Sequence, residues 1–343
     1  MLMNCLIPNA QSKPVFALTL LFAVVAGSCG GERQPANTAN RIDIRGAIVA
    51  LVGRGGDNSH GELTLYDGAT PGGHVLVRGV PRNLQSMTPA GTSFAYARYS
   101  SDVAGNSQID TVDIETGTTR NFAAGDYPVS SGDRIAFCPS VGQLYVSPLD
   151  NASLRQFVDS VSTGCGFKAW SGSRLAFVQF GSSLGLDGVT LRLWDGGIQE
   201  EVDVAVPVRG LGDLSWSARG TSLLYANGDG ELVEIDLASH RGTPVGVGQD
   251  PKYSPLDDDL FAVMTDDSIE VRNRAGGTVA RHDLPQNAQP RLAEVNFAWS
   301  PDGTAIAVVT PSCINVWDWK SDEMSCAISP NNGAFLPVVL WFR

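Results

Sequence analysis

Charge is scarce in this sequence and histidine nearly absent: 17% of 343 residues are Asp, Glu, Lys or Arg, and only four are His. His60, His74, His240 and His282 have no metal-ligand spacing to one another or to a Cys, and no H-E-x-x-H pattern occurs. A G-x-S-x-G elbow and a P-loop are missing too. Expected, therefore, are no metal site, no cofactor, no catalytic residue and no enzymatic activity. Also lacking is any long stretch with apolar residues at helical spacing, which excludes a mainly helical fold. The 38 glycines instead suit an all-β chain with many tight turns. Basic residues are outnumbered, 24 Lys plus Arg against 36 Asp plus Glu, giving a formal net charge of −12. That balance argues against nucleic acid as a partner, because nucleic acid needs a basic patch.

The first 28 residues carry one charge, Lys13, followed by the apolar run "VFALTLLFAVVAGS" at 15–28. The run is too short and too rich in small residues at its end for a spanning helix. With "AGSC" at 26–29 it resembles a bacterial lipoprotein signal, although Ala26 stands where Leu or Val is usual. The resemblance implies a signal peptide over 1–28, lipid on Cys29, and, from Gly30, sorting to the outer membrane; an ordinary secretory peptide cut nearby is the alternative. "GGERQPANTAN" (30–40) is small, polar and contains Pro, so 29–45 is expected to be a flexible tether to a domain over 46–343. The membrane would be touched through the anchor only.

One short stretch sets the architecture. "FAWSPDGTAIAVV" (297–309) is an apolar run, a turn in preferred residues (Ser300, Pro301, Asp302, Gly303) and an alternating apolar run. It recurs as "QSMTPAGTSFAYA" from Gln85, "YPVSSGDRIAF" from Tyr127, "FKAWSGSRLAFV" from Phe167, "LSWSARGTSLLYA" from Leu214 and "PKYSPLDDDLFAV" from Pro251. A second element follows each copy, a strand ending at Asp or Asn, a turn, and another strand: "IDTVDIETG" (109–117), "LVEIDLASH" (232–240), "INVWDWKSDE" (314–323). Four strands per period of about 40 residues is the signature of a β-propeller. Radial stacking buries both faces of every blade and leaves only short edges. Residues 46–343 divide into seven blades of about 43 residues. Blade one lacks an evident inner strand, while "AFLPVVLWFR" (334–343) is a strand without a partner, with Trp341 where Trp170, Trp216 and Trp299 sit in other blades. The ring is expected to close through that strand, the alternative inner strand being "RIDIRG" (41–46).

"FAWSPDGTAIAVV" with "INVWDWKSDE" resembles the TolB-type and WD-repeat propeller families, and the missing Gly-His pair favours the TolB type. The resemblance implies a fold used for binding and scaffolding more than for chemistry. Function must still be argued from a site.

In such a ring the loops between second and third strands share one face with the connectors between blades. They are longest in blade one (53–62), blade two (99–108) and blade four (180–189). Insertions cluster on one face of a repeat ring, often the binding face. Asp57, Asn58, His60, Asp102, Asn106 and Asp187 are the polar residues expected to meet a partner. Two acidic clusters, 255–259 and 265–267, and "NGDGE" (227–231) are read as turns rather than cation sites. After cleavage four cysteines besides Cys29 remain, an even number in an exported chain. The predicted topology favours Cys138 with Cys165 and Cys313 with Cys326; buried free thiols are the alternative. The expected protein is a monomeric, lipid-anchored scaffold of the cell envelope binding a protein or glycan. A propeller enzyme or sensor with a small ligand or ion in its central channel is the competing expectation.

Overall fold

The structure, a computed structural model, describes residues 46–343 apart from 55–59, 68–72, 82–83, 85–86, 91, 99–106, 141, 163–167, 181–188, 203–210, 228, 285–295, 311, 330–332 and 343. The described residues fall within a compact unit, Arg41–Arg343. It is a seven-bladed propeller of four-stranded antiparallel sheets.

Blade one runs β1 (Ala47–Arg54), β2 (His60–Tyr66) and β3 (His74–Pro81); blade two β4 (Met87–Ala90), β5 (Ser93–Arg98), β6 (Gln108–Asp113) and β7 (Thr119–Ala124). Blade three runs β8 (Asp126–Ser131), β9 (Arg134–Ser140), β10 (Gly142–Pro148), a short 3-10 turn over Ala152–Leu154, and β11 (Gln156–Ser162). Blade four runs β12 (Lys168–Ser171), β13 (Arg174–Phe180), β14 (Val189–Asp195) and β15 (Ile198–Val202). Blade five runs β16 (Leu211–Trp216), β17 (Ser222–Asn227), β18 (Glu231–Asp236) and β19 (Arg241–Val247). Blade six runs β20 (Gln249–Tyr253), β21 (Leu260–Met264), β22 (Ser268–Asn273) and β23 (Thr278–Asp283). Blade seven runs β24 (Phe297–Trp299), β25 (Ala305–Thr310), β26 (Cys313–Asp318) and β27 (Glu323–Ile328). The last strand, β28 (Gly333–Phe342), completes blade one in the order β28-β1-β2-β3, so the ring closes through the C-terminal strand as the sequence predicts.

Burial falls off with radius. Second strands are covered by blades on both sides: every residue of β17 and β25 is buried. They therefore read as nearly unbroken apolar runs, "SLLYAN" and "AIAVVT", without the alternation of a half-exposed strand. Outer strands touch solvent and turn polar; β23 is "TVARHD".

Local chemistry closes the turns. Asp113, Asp236 and Asp318 each end a third strand and accept from the backbone N–H three residues on, at Thr116, Ser239 and Ser321 (2.8, 2.8 and 3.2 Å). Hydroxyl donation and the backbone bond from Thr116 and Ser239 hold Asp113 and Asp236 below the usual carboxylate range. Between first and second strands, Ser300 Oγ accepts from Ala305 N–H at 2.9 Å, and Asp302 Oδ1 accepts from Ser300 Oγ and Thr304 N–H at 2.7 and 3.1 Å. These are the roles the turn residues suggest.

The inner-strand tryptophans tie blades together. Trp170, Trp216 and Trp299 donate Nε1–H to the carbonyls of Val129, Ala169 and Lys252 of the preceding blade at 3.1, 2.9 and 2.9 Å. Trp341 pairs with Ile48 as Trp299 pairs with Ile306 and Trp216 with Leu223, so it occupies the same site in the closing strand. Two connectors are a single glycine: Gly125 (φ 153°) and Gly248 (φ 155°). A Cβ there would stand 2.8 Å from the Cys138 carbonyl oxygen or 2.4 Å from a Val263 methyl, so only glycine lets the chain step so abruptly between blades.

Candidate functional site

The two faces of the ring differ in build. On one, first strands pass to second strands through the capped turns just described. On the other, β1 ends at Arg54 and β2 begins at His60, β5 ends at Arg98 and β6 begins at Gln108, and β13 ends at Phe180 and β14 begins at Val189. The corresponding step in blade three is only Ser140 to Gly142, and in blade seven Thr310 to Cys313. Blades one, two and four therefore hold the longest second-to-third loops, in the places their sequence implies.

Of the residues expected to meet a partner, His60 opens β2 and is exposed. Asp57, Asn58, Asp102, Asn106 and Asp187 lie outside the described residues, as do Cys29 and Cys165. Cys313 and Cys326 form the expected disulfide across β26 and β27, with Cα atoms 5.8 Å apart. Cys138 is buried in β9 and is disulfide-bonded as well.

The acidic clusters are built into the turns. Asp258, between β20 and β21, accepts from Arg219 N–H at 2.8 Å and pairs with its guanidinium at 3.1 Å, joining the turns of blades six and five. Asp267 faces Arg281 at 3.1 Å. "NGDGE" is the hairpin between β17 and β18, where Asn227 Oδ1 accepts from Asp229 and Glu231 N–H at 3.0 and 2.9 Å. His282 Nδ1 lies 3.2 Å from Asp322 Oδ1, which also accepts from Trp317 Nε1–H at 3.1 Å. These two bonds hold the Asp322 carboxyl below its ordinary range.

Sequence reasoning overlooked two buried carboxylates, Glu234, which is paired across the boundary of blades five and six, and Asp110, which is paired within blade two. Glu234 is 7% exposed, accepts from Tyr253 Oη–H at 2.7 Å and pairs with Arg274. Asp110 is 4% exposed, with Arg98 Nε at 2.7 Å and Tyr96 Oη–H at 3.3 Å. Burial and these carboxylates push both phenols far above their ordinary value. A charge at an inward parity of a strand such as "LVEID" is the signal that marks them.

The inner strands hold a second overlooked group. Lys168, 6% exposed, begins β12 with its ammonium 5.7 Å from the Tyr127 ring, and burial lowers it to about 7 against a partial rise from Asp126. Asp126 Oδ1 is buried without a hydrogen-bond partner among the described residues. Tyr127 in blade three and Asp250 in blade six both take left-handed backbone, φ 50° and 49°.

No protein-family model matches the chain, and no curated protein matches it. Solved structures do. A provisionally assigned 6-phosphogluconolactonase of Bacteroides uniformis is 15% identical over 87% of this chain and 100% of its own, with a TM-score of 0.60. TolB of Acinetobacter baumannii is 15% identical over 71% of this chain and 64% of its own, with a TM-score of 0.49. The Cps50 (Swd1) propeller domain of Myceliophteria thermophila is 13% identical over 71% and 88%, with a TM-score of 0.50. At such identities the likeness establishes the propeller fold alone.

Proposed function

We propose that this propeller is a lipid-anchored envelope protein that works as a non-catalytic scaffold, taking a protein or glycan partner on its loop face. The observation that carries the reading is the asymmetry of the two faces: on one, first strands pass to second strands through short turns such as the Ser300–Gly303 turn, whereas on the other the longest runs of chain between second and third strands belong to blades one, two and four. The anchor rests on the lipobox-like "AGSC", and Gly30 after Cys29 supports the outer membrane as its destination.

Alanine substitution at Asp57, Asn58, His60, Asp102, Asn106 and Asp187 is expected to weaken partner capture from the solubilised envelope while leaving the melting curve within about 0.5 kcal/mol of the parent. Arg219→Ala, in a capped turn of the opposite face, is expected to leave capture intact. Loss of capture in Arg219→Ala with retention in the loop variants would refute the assignment of faces. For the anchor, Cys29→Ala is expected to abolish acyl labelling and release the protein from membranes; labelling that survives the substitution rules the anchor out.

The second reading, a small ligand in the central channel, is favoured by one place. Asp126 with its unsatisfied oxygen, buried Lys168 and the left-handed Tyr127 meet where the inner strands of blades three and four begin. Buried charge and backbone strain of this kind gather at functional sites.

A further inference from the structure

A groove of about 980 Å³ opens between the outer parts of blades two and three, on the capped-turn face. Thr111, Arg120 and Phe122 line it from blade two; Asp133, Asp150 and Leu154 line it from blade three. Its volume is at the upper end of the range for small-molecule sites.

Asp113, in the groove wall, is capped by Thr116, and the other charged groups of the groove are exposed. Other guanidiniums in the ring are paired, Arg98 with Asp110, Arg192 with Asp159 and Arg274 with Glu234. Arg120, Asp133 and Asp150 line one groove, yet their side chains take no hydrogen-bond or ion-pair partner among the described residues. Beside them are apolar surfaces. Phe122 packs edge-to-face on Phe137 at 5.7 Å while also lining the groove, and Leu154 is 65% exposed.

We propose that this groove binds a neutral oligosaccharide. A sugar hydroxyl both donates and accepts, so one chain of sugar rings can serve the carboxylates, the guanidinium and the threonine hydroxyl together. The C–H face of a sugar ring suits an aromatic and a leucine side chain. Anionic ligands are disfavoured, because three carboxylates, with Asp113, face one guanidinium. A basic peptide suits the net charge of the groove, but it sets like charge against Arg120 and brings no flat apolar ring face to Phe122 and Leu154. The proposal goes beyond the loop-face reading, since the groove lies on the opposite face and needs none of those loops.

The test is calorimetric titration of the purified full chain with neutral oligosaccharides of glucose, galactose, mannose and N-acetylglucosamine, alongside trigalacturonate and oligolysine. At least one neutral oligosaccharide is expected to bind at micromolar to millimolar concentration. Arg120→Ala and Asp150→Ala are each expected to weaken it about tenfold, with unchanged melting. Arg219→Ala and the loop-face alanine variants are expected to bind like the parent, which separates this site from the loop face. The proposal is overturned if no neutral oligosaccharide binds, if only trigalacturonate or oligolysine binds, or if the two groove variants bind as the parent does.

Discussion

Removal of residues 334–343 is expected to abolish cooperative folding. Those residues form all but the first position of β28, which pairs with β1 from Ala47↔Phe342 to Arg54↔Gly333. Trp341 is 7% exposed and lies in one core cluster with Ile48, Ala50, Val52, Ala307 and Val309, so it joins blades one and seven. Burying a tryptophan removes about 150–250 Å² from water, and at about 25 cal/mol per Å² that alone contributes roughly 4–6 kcal/mol. The deletion also uncovers Ile48, Val49, Ala50 and Leu51, all 0% exposed. The sum is comparable with a whole domain's stability of about 5–15 kcal/mol. Aggregation or loss of the thermal transition is expected. The gentler Trp341→Ala keeps the strand and removes the indole, which costs about 3–5 kcal/mol, a fall in Tm of roughly 5–8 °C for a domain of about 300 residues. Calorimetry on both variants decides the matter: a Tm near the parent's in the deletion contradicts closure by this strand.

Lys168 is expected to make stability depend on pH in the alkaline range. Its folded value lies near 7, against 10.5 for a free lysine, with desolvation the larger cause. Between those values the unfolded chain binds the extra proton, so stability rises with pH across the window. Below about 7 the ammonium is charged in both states and its burial cost is fully present. At 1.36 kcal/mol per pH unit, the whole span corresponds to roughly 3–5 kcal/mol. Lys168→Met keeps the stem and removes the charge. The parent is expected to gain stability relative to this variant as pH rises from about 7 to about 10, read by urea unfolding at each end. A difference that stays flat across the window contradicts a buried, titrating Lys168.

Turn chemistry was legible because it is local. Asp113, Asp236 and Asp318 act on amides three residues away, and the Ser300–Gly303 turn closes on itself, so each repeat advertised its own hairpins. Four strands per period then required a ring, since no single blade buries its faces. Even closure was readable: Trp341 has the parity of Trp170, Trp216 and Trp299, and an unpaired last strand needs a partner. Contacts between blades were not readable. Glu234 meets Tyr253 across 19 residues, Trp299 meets Lys252 across 47, and Lys168 meets Tyr127 over a comparable span. No spacing rule in the sequence predicts which side chains of adjacent blades touch, because that depends on blade tilt and on where each strand begins. The groove between blades two and three arises in the same way: its two walls are unremarkable alone, and packing one blade beside the next decides that Arg120, Asp133 and Asp150 share a cleft. The sequence by itself thus determined the strands, the turns and the ring, through period, parity and turn preference. Tertiary structure alone decided which charges of neighbouring blades meet, Glu234 with Arg274 and Tyr253 among them, and which side chains share the groove, because those are properties of the surface between blades.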